Sequence, residues 1–302
     1  MSGPPEYVGI FAATVTPFSP EGRNVDEAGI KRLTDRLVAA GVSGLVPCGS
    51  TGEFTHLTHE ERVRVVEVFI EAAAGRIPII AHTGALTTAE TVELSIKAEA
   101  AGSSAVMVVP PFYDMLSWRE LVAHYSAVAN AVDVPIVFYN IPSVTGVNLT
   151  PDKIVELVDA VPSVRYLKDT SGNASAQVEL VERYSDRVTT FNGSDSLMML
   201  GLASGTRASI LGAVNVVPEV CVELWRLVVE QADLATAHIR WKQLWPILNF
   251  LETHPYSPSV KAGCDLIGET AGPPRRPFLP LEPSDKAQLG GLLRAAGIAT
   301  VD

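Results

Sequence analysis

Residues 164–173 read VRYLKDTSGN, an apolar-rich run that ends at Lys168 and gives way at once to Asp169, Thr170, Ser171, Gly172 and Asn173. In a strand alternate residues share a face, so Val164, Tyr166 and Lys168 should point one way and Arg165 and Leu167 the other. An ammonium group then stands among apolar side chains. Lost hydration disfavours its charged form and predicts a pKa drawn from about 10.4 toward roughly 7 to 8. A neutral amine attacks carbonyl carbon. The competing reading is a strand-end lysine that snorkels to water.

Outward from this stretch the same unit recurs. Short apolar runs occupy Gly9 to Thr16, Gly44 to Cys48, Pro78 to Ala81, Ala105 to Val109, Pro135 to Tyr139, Val164 to Lys168, Val188 to Asn192 and Ala208 to Leu211. Between them, segments such as Asp26 to Ala40, Thr58 to Ala74, Thr88 to Ala101 and Ser117 to Ala131 carry apolar residues three and four apart. Capping signals open them: Asp26, Thr58 with Glu61, Thr87 with Glu90, and Ser117 with Glu120. Strands joined by crossover helices predict an α/β fold, a (β/α)8 TIM barrel. After Pro218 only helical pattern remains, over Val220 to Leu251, Ser259 to Ile267 and Ser284 to Ala296, with a proline-rich connection from Gly272 to Pro280. The expected organisation is a catalytic barrel over 1–230 and a C-terminal helical subdomain over 231–302.

Composition agrees with one large core. The chain has 302 residues, 47% of them hydrophobic, and a formal net charge of -11. No basic stripe is present for nucleic acid or an anionic membrane, so an anionic substrate has to be held by local dipoles. Met1 to Val8 lacks a basic region followed by an apolar stretch, and no uncharged apolar segment approaches a membrane span. A soluble, cytoplasmic protein is expected. Cys48, Cys221 and Cys264 are too few and scattered for a disulfide framework or zinc site and read as reduced thiols. His56 and His59 lie three apart at a helix start, which reads as a solvated cap rather than a metal site. No dinucleotide-binding or P-loop glycine pattern occurs.

A barrel places chemistry at the C-terminal ends of its strands. After the second come Gly49, Ser50, Thr51, Gly52 and Glu53, whose hydroxyls and backbone N–H groups suit a carboxylate, or form an ordinary polar turn. The fifth strand ends in Tyr139, Asn140, Ile141 and Pro142, with Thr145 and Gly146 beyond. Tyr139 reads either as a core tyrosine or as a phenol that relays protons beside Lys168. The fourth runs into Phe112, Tyr113 and Asp114, an aromatic rim, and the seventh into Gly193, Ser194 and Asp195, a flexible turn with one carboxylate that reads equally as a solvated turn. Ile210 on the eighth strand joins Gly193 and Asp195 as a candidate substrate contact.

The GSTGE loop, the YNIPSVTG stretch from Tyr139 to Gly146, KDTSGN from Lys168, and TVTPF from Thr14 to Phe18 together resemble the pyruvate-dependent class I aldolases of the dihydrodipicolinate synthase and N-acetylneuraminate lyase family. The resemblance spans the chain. It implies a (β/α)8 barrel assembled as a tetramer of two tight dimers, with a Schiff base on Lys168 and no metal or organic cofactor. Tyr139 would shuttle protons, Ser50 and Thr51 would contact the keto acid carboxylate and complete the relay, and Tyr113, lent across the tight dimer, would aid Tyr139 and Ser50 in moving protons. Substrates would be pyruvate or a 2-keto acid with an aldehyde or sugar acid. Val144 stands where the family's lysine-pathway synthase has an arginine at the site entrance, which argues against aspartate semialdehyde as the partner. Ser50, Ala81 and His82 look closer to the lyase branch, whereas Asp169, Phe112 and Tyr113 keep both branches open. A non-catalytic keto-acid-binding barrel is the remaining alternative.

Overall fold

The computed structural model describes residues 7–301. Most of the Met1 to Val8 stretch lies outside them. The strands are β1 Gly9–Ala13, β2 Gly44–Val46, β3 Ile80–His82, β4 Ala105–Val108, β5 Ile136–Asn140, β6 Val164–Asp169, β7 Thr189–Asn192 and β8 Ala208–Leu211. Helices α1 Glu27–Ala39, α2 His59–Ala73, α3 Thr88–Ala101, α4 Trp118–Ala129, α5 Pro142–Thr145, α6 Pro151–Ala160, α7 Ala174–Tyr184 and α8 Met198–Ala203 alternate with them. The strands pair in parallel in the order β2-β1-β8-β7-β6-β5-β4-β3. A bridge between Leu45 and Ile79, with the His82 N–H donating to the Pro47 carbonyl at 3.1 Å, brings β2 against β3 and rounds the sheet into a barrel.

Alternation along the strands builds two cores. Phe11, Met107, Val137, Tyr166, Phe191 and Ile210 fill the barrel, while Ile10, Leu45, Val106, Phe138 and Leu167 pack outward against the helices. The 164–168 run breaks this alternation once. The register shifts between Ile136 and Val137, which pair with Val164 and Tyr166, so Arg165 is the extra residue of a bulge. Val164 consequently belongs to the outer core with Leu167, against the expectation that it shares the face of Tyr166 and Lys168. Strand ends move for local reasons. The β1 ladder ends before Val15, whose N–H donates to Asn215 Oδ1 at 3.1 Å, and Cys48 has a left-handed φ of 59° that carries the chain out of β2.

The predicted caps form. Asp26 and Thr87 accept first-turn N–H groups, and Thr58 with Glu61 and Ser117 with Glu120 make full capping boxes. The expected helix from Val220 to Leu251 is instead two: α9 Pro218–Trp225, extended by a π-helical turn Arg226–Glu230, and α10 Leu234–Thr253. Ala232, at φ 54°, turns the chain, and Asp233 caps α10 by accepting the Thr236 N–H. Helices α11 Tyr256–Leu266 and α12 Pro283–Ala295 complete the chain. Among the described residues no helix is long and apolar enough to cross a membrane.

Candidate active site

Strands β5 and β6 set the centre. Tyr139 and Lys168 are register partners, and inward parity places both side chains at the barrel mouth. Lys168 is 5% exposed, and its Nζ lies 4.3 Å from the centroid of the Tyr139 ring, a cation–π distance. Gly193 makes room for it. A Cβ there would sit 2.1 Å from Thr170 Oγ1 and 3.0 Å from Lys168 Cε. Asp169 faces away from the barrel interior and clamps the strand ends, accepting from Asn140 Nδ2 at 2.8 Å and from the Ser171 hydroxyl at 3.1 Å. Burial raises its carboxyl above the usual carboxylate range, against these bonds.

The loop after β2 is held from several sides. Cys48 and Glu53 bracket it, both non-glycine residues with left-handed φ, a conformation costing on the order of 1–3 kcal/mol each. Within it the Gly52 N–H donates to the Gly49 carbonyl at 3.0 Å, and the Thr16 hydroxyl donates to the Gly52 carbonyl at 2.7 Å. Buried Glu53 accepts from the Arg275 N–H at 2.8 Å and pairs with buried Lys261 at 2.9 Å. Arg275 in turn grips both carboxylate oxygens of Glu61. Thus α11 and the connection after it fix the loop, which leaves Thr51 buried and Ser50 exposed. The Ser257 hydroxyl donates to the Ser50 carbonyl at 3.0 Å.

A second polar cluster adjoins this loop. Tyr256, the first residue of α11, donates its hydroxyl to Asp195 and accepts the Gly212 N–H at 3.1 Å. A Cβ on Gly212 would meet Tyr256 Oη at 2.5 Å and Thr51 Oγ1 at 2.9 Å, so three chain segments converge there. Burial pushes Asp195 up to about 7 against the Tyr256 hydrogen bond, and burial also holds the Tyr256 phenol well above its ordinary range. Ile210 is fully buried in the barrel core beneath the mouth. On the other wall His82 packs its ring edge-on with Phe54 at 4.6 Å and Tyr139 at 6.3 Å, and Phe54 meets Phe112 at 5.7 Å. Burial keeps His82 neutral, well below the usual imidazole range.

The structure therefore gathers Lys168, Tyr139, Gly193, Thr51, Ile210 and Asp195 around the mouth, with Gly49 inside the loop turn. Tyr113 and Val144 stand apart, 88% and 57% exposed on the rim. Met115 is exposed beside them, within 3.5 Å of where a Gly146 side chain would begin. Sequence reasoning did not find Tyr256 or Lys261. Both sit on a helix far along the chain, where no spacing relates them to a strand end. His56 rests against Phe278 at 4.4 Å while His59 faces Glu90 and Glu93, so the two histidines do not converge. The cysteines are free and buried, and burial pushes the Cys48 thiol up to about 12.

The model of the dihydrodipicolinate synthetase family matches residues 6–296. The chain belongs to that family. Its relatives include the 4-hydroxy-tetrahydrodipicolinate synthase of Thermomicrobium roseum, 38% identical over 93% of this chain and 92% of that protein. The synthase of the same name from Sorangium cellulosum is 39% identical over 95% of both. Dihydrodipicolinate synthase of Aquifex aeolicus superposes with a TM-score of 0.92 at 31% identity, covering 98% of this chain and all of that one. A prophage protein of the family from E. coli K12, solved with pyruvate, gives the same TM-score at 29% identity over 98% of this chain and all of that chain. As a dihydrodipicolinate synthetase family member the chain is an enzyme, a Schiff-base-forming class I lyase on a TIM barrel.

Proposed function

We propose that Lys168 is the Schiff-base lysine and that pyruvate, or a longer 2-keto acid, is the carbonyl substrate. The observation that carries this is an amine buried at the end of β6 with a tyrosine as its register partner. Ser50, Thr51 and the N–H groups after Gly49 hold the substrate carboxylate. Gly193, Asp195 and Ile210 shape the opposite wall, and Val144 lies at the entrance. The neutral amine adds to the keto carbon, and Tyr139 passes protons as the carbinolamine loses water to give an iminium. That cation draws electrons from the adjacent carbon. Loss of a proton, or cleavage of a carbon–carbon bond, yields an enamine. The enamine then takes up a proton or attacks an aldehyde carbon, whose oxygen accepts the proton. Water releases the product and regenerates the amine, so the covalent adduct serves in place of a separate cofactor.

The second substrate is an aldehyde or sugar acid that needs no cation at residue 144. Aspartate semialdehyde is the competing partner, favoured by the names of the relatives at 38% and 39% identity. An assay of pyruvate with a panel of aldehydes, aspartate semialdehyde included, and of sugar acids for cleavage separates these. Preference for aspartate semialdehyde would overturn the first reading. We infer a cytoplasmic homotetramer in which a second copy covers the apolar rim and receives Tyr113.

A further inference from the structure

We propose that Asp195 and Tyr256 are positioning residues that supply the counter-charge for the iminium formed at Lys168. The inference rests on the Schiff-base reading above and deepens it. A cation created in a barrel mouth needs a fixed negative partner, because little water remains to solvate it. Asp195 is 1% exposed and follows Gly193, the residue packed against Lys168 Cε. Its carboxylate is aimed by Tyr256, and the Tyr256 oxygen is itself fixed by the Gly212 N–H. Through Gly212 the same phenol abuts Thr51, so one tyrosine registers both the charge and the carboxylate-binding loop.

The groups facing this pair can be named. Burial raises the Asp195 carboxyl most and the Tyr256 hydroxyl lowers it, with smaller effects from Glu252 on α10, which raises it, and Lys168 on β6, which draws it down. Cys221 on α9 feels its charge and Tyr139 on β5 raises the Tyr256 phenol, while Asp195 Oδ1 is buried with no hydrogen-bond partner among the described residues. Gly193 packs against Lys168 Cε two residues before Asp195, which places Lys168 as the cation whose charge Asp195 can balance. Amine, ketone and a proton give iminium and water, so the carboxylate favours the iminium over the neutral amine, and the ammonium over the amine equally.

That symmetry gives the test. Wild type, Asp195→Asn and Tyr256→Phe are titrated with pyruvate and trapped with cyanoborohydride over a pH series, with thermal midpoints measured alongside. In Asp195→Asn the pyruvate concentration for half-maximal labelling should rise roughly tenfold on the alkaline side and converge with wild type on the acidic side. The acidic limb of the labelling rate should move down by about one pH unit. Tyr256→Phe removes the donor that draws the Asp195 carboxyl down, so it should shift the same way by less. Variants with wild-type pH profiles and only lowered midpoints would overturn the inference, as would a shift to higher pH. Failure of wild type to label at all would instead sink the Schiff-base reading.

Discussion

At the scale of single residues, chemistry follows from which face of a strand a side chain occupies. Lys168 and Tyr139 were legible because each lies one residue before the end of a strand and inward parity then points both into the barrel. Lys168→Ala should abolish turnover and labelling alike, and Tyr139→Phe should lower kcat roughly 100-fold or more with less effect on KM, as expected for a lost proton relay. Steady-state kinetics against pyruvate check both. Gly193→Ala should lose activity through crowding of Thr170 and Lys168, which no strand pattern announces. The Glu53–Lys261 pair was equally hidden, since its halves lie far apart in the chain and only tertiary packing joins them. Removing one partner leaves a buried charge. Lys261→Met should therefore cost about 3–5 kcal/mol, and adding Glu53→Gln should restore part of it. Urea denaturation of the single and double variants measures this, and a double variant worse than the single would contradict it.

At the scale of elements, the strand and helix order was readable because caps and apolar periodicity agree, while the irregularities were not. The Arg165 bulge leaves no mark in the sequence, and neither does the turn at Ala232, because alternation and helical period are averages over a segment. Helices α3 and α4 are joined by His124, whose Nδ1 lies 3.0 Å from the Thr88 hydroxyl. Burial draws the His124 pKa down to about 4 from an ordinary value of 6.5. The folded pKa lies below the unfolded one, so this stabilising contribution is present above about pH 6.5 and is lost as pH falls from there toward 4. Urea midpoints should drop over that window, and His124→Gln, which cannot ionise, should flatten the slope. An equal slope in the variant would show that other groups govern the acid limb.

At the scale of the molecule, the barrel was legible as a repeating unit, but the way the C-terminal helices clasp the mouth was not. Tyr256, Ser257, Lys261 and Arg275 reach the loop after β2 and the turn after β7 from outside the repeat. The rim meanwhile exposes Tyr113, Met115 and Val144, an apolar surface suited to a second copy. If the proposed tetramer forms through this rim, Met115→Asp with Val144→Asp should convert it to smaller species by sedimentation and lower activity in proportion; an unchanged sedimentation profile would place the interface elsewhere. The chemistry itself is tested most directly by incubating the protein with pyruvate, reducing with borohydride and mapping peptides by mass. The account predicts one covalent three-carbon adduct, on the peptide that carries Lys168. An adduct on another residue, or none, would contradict it.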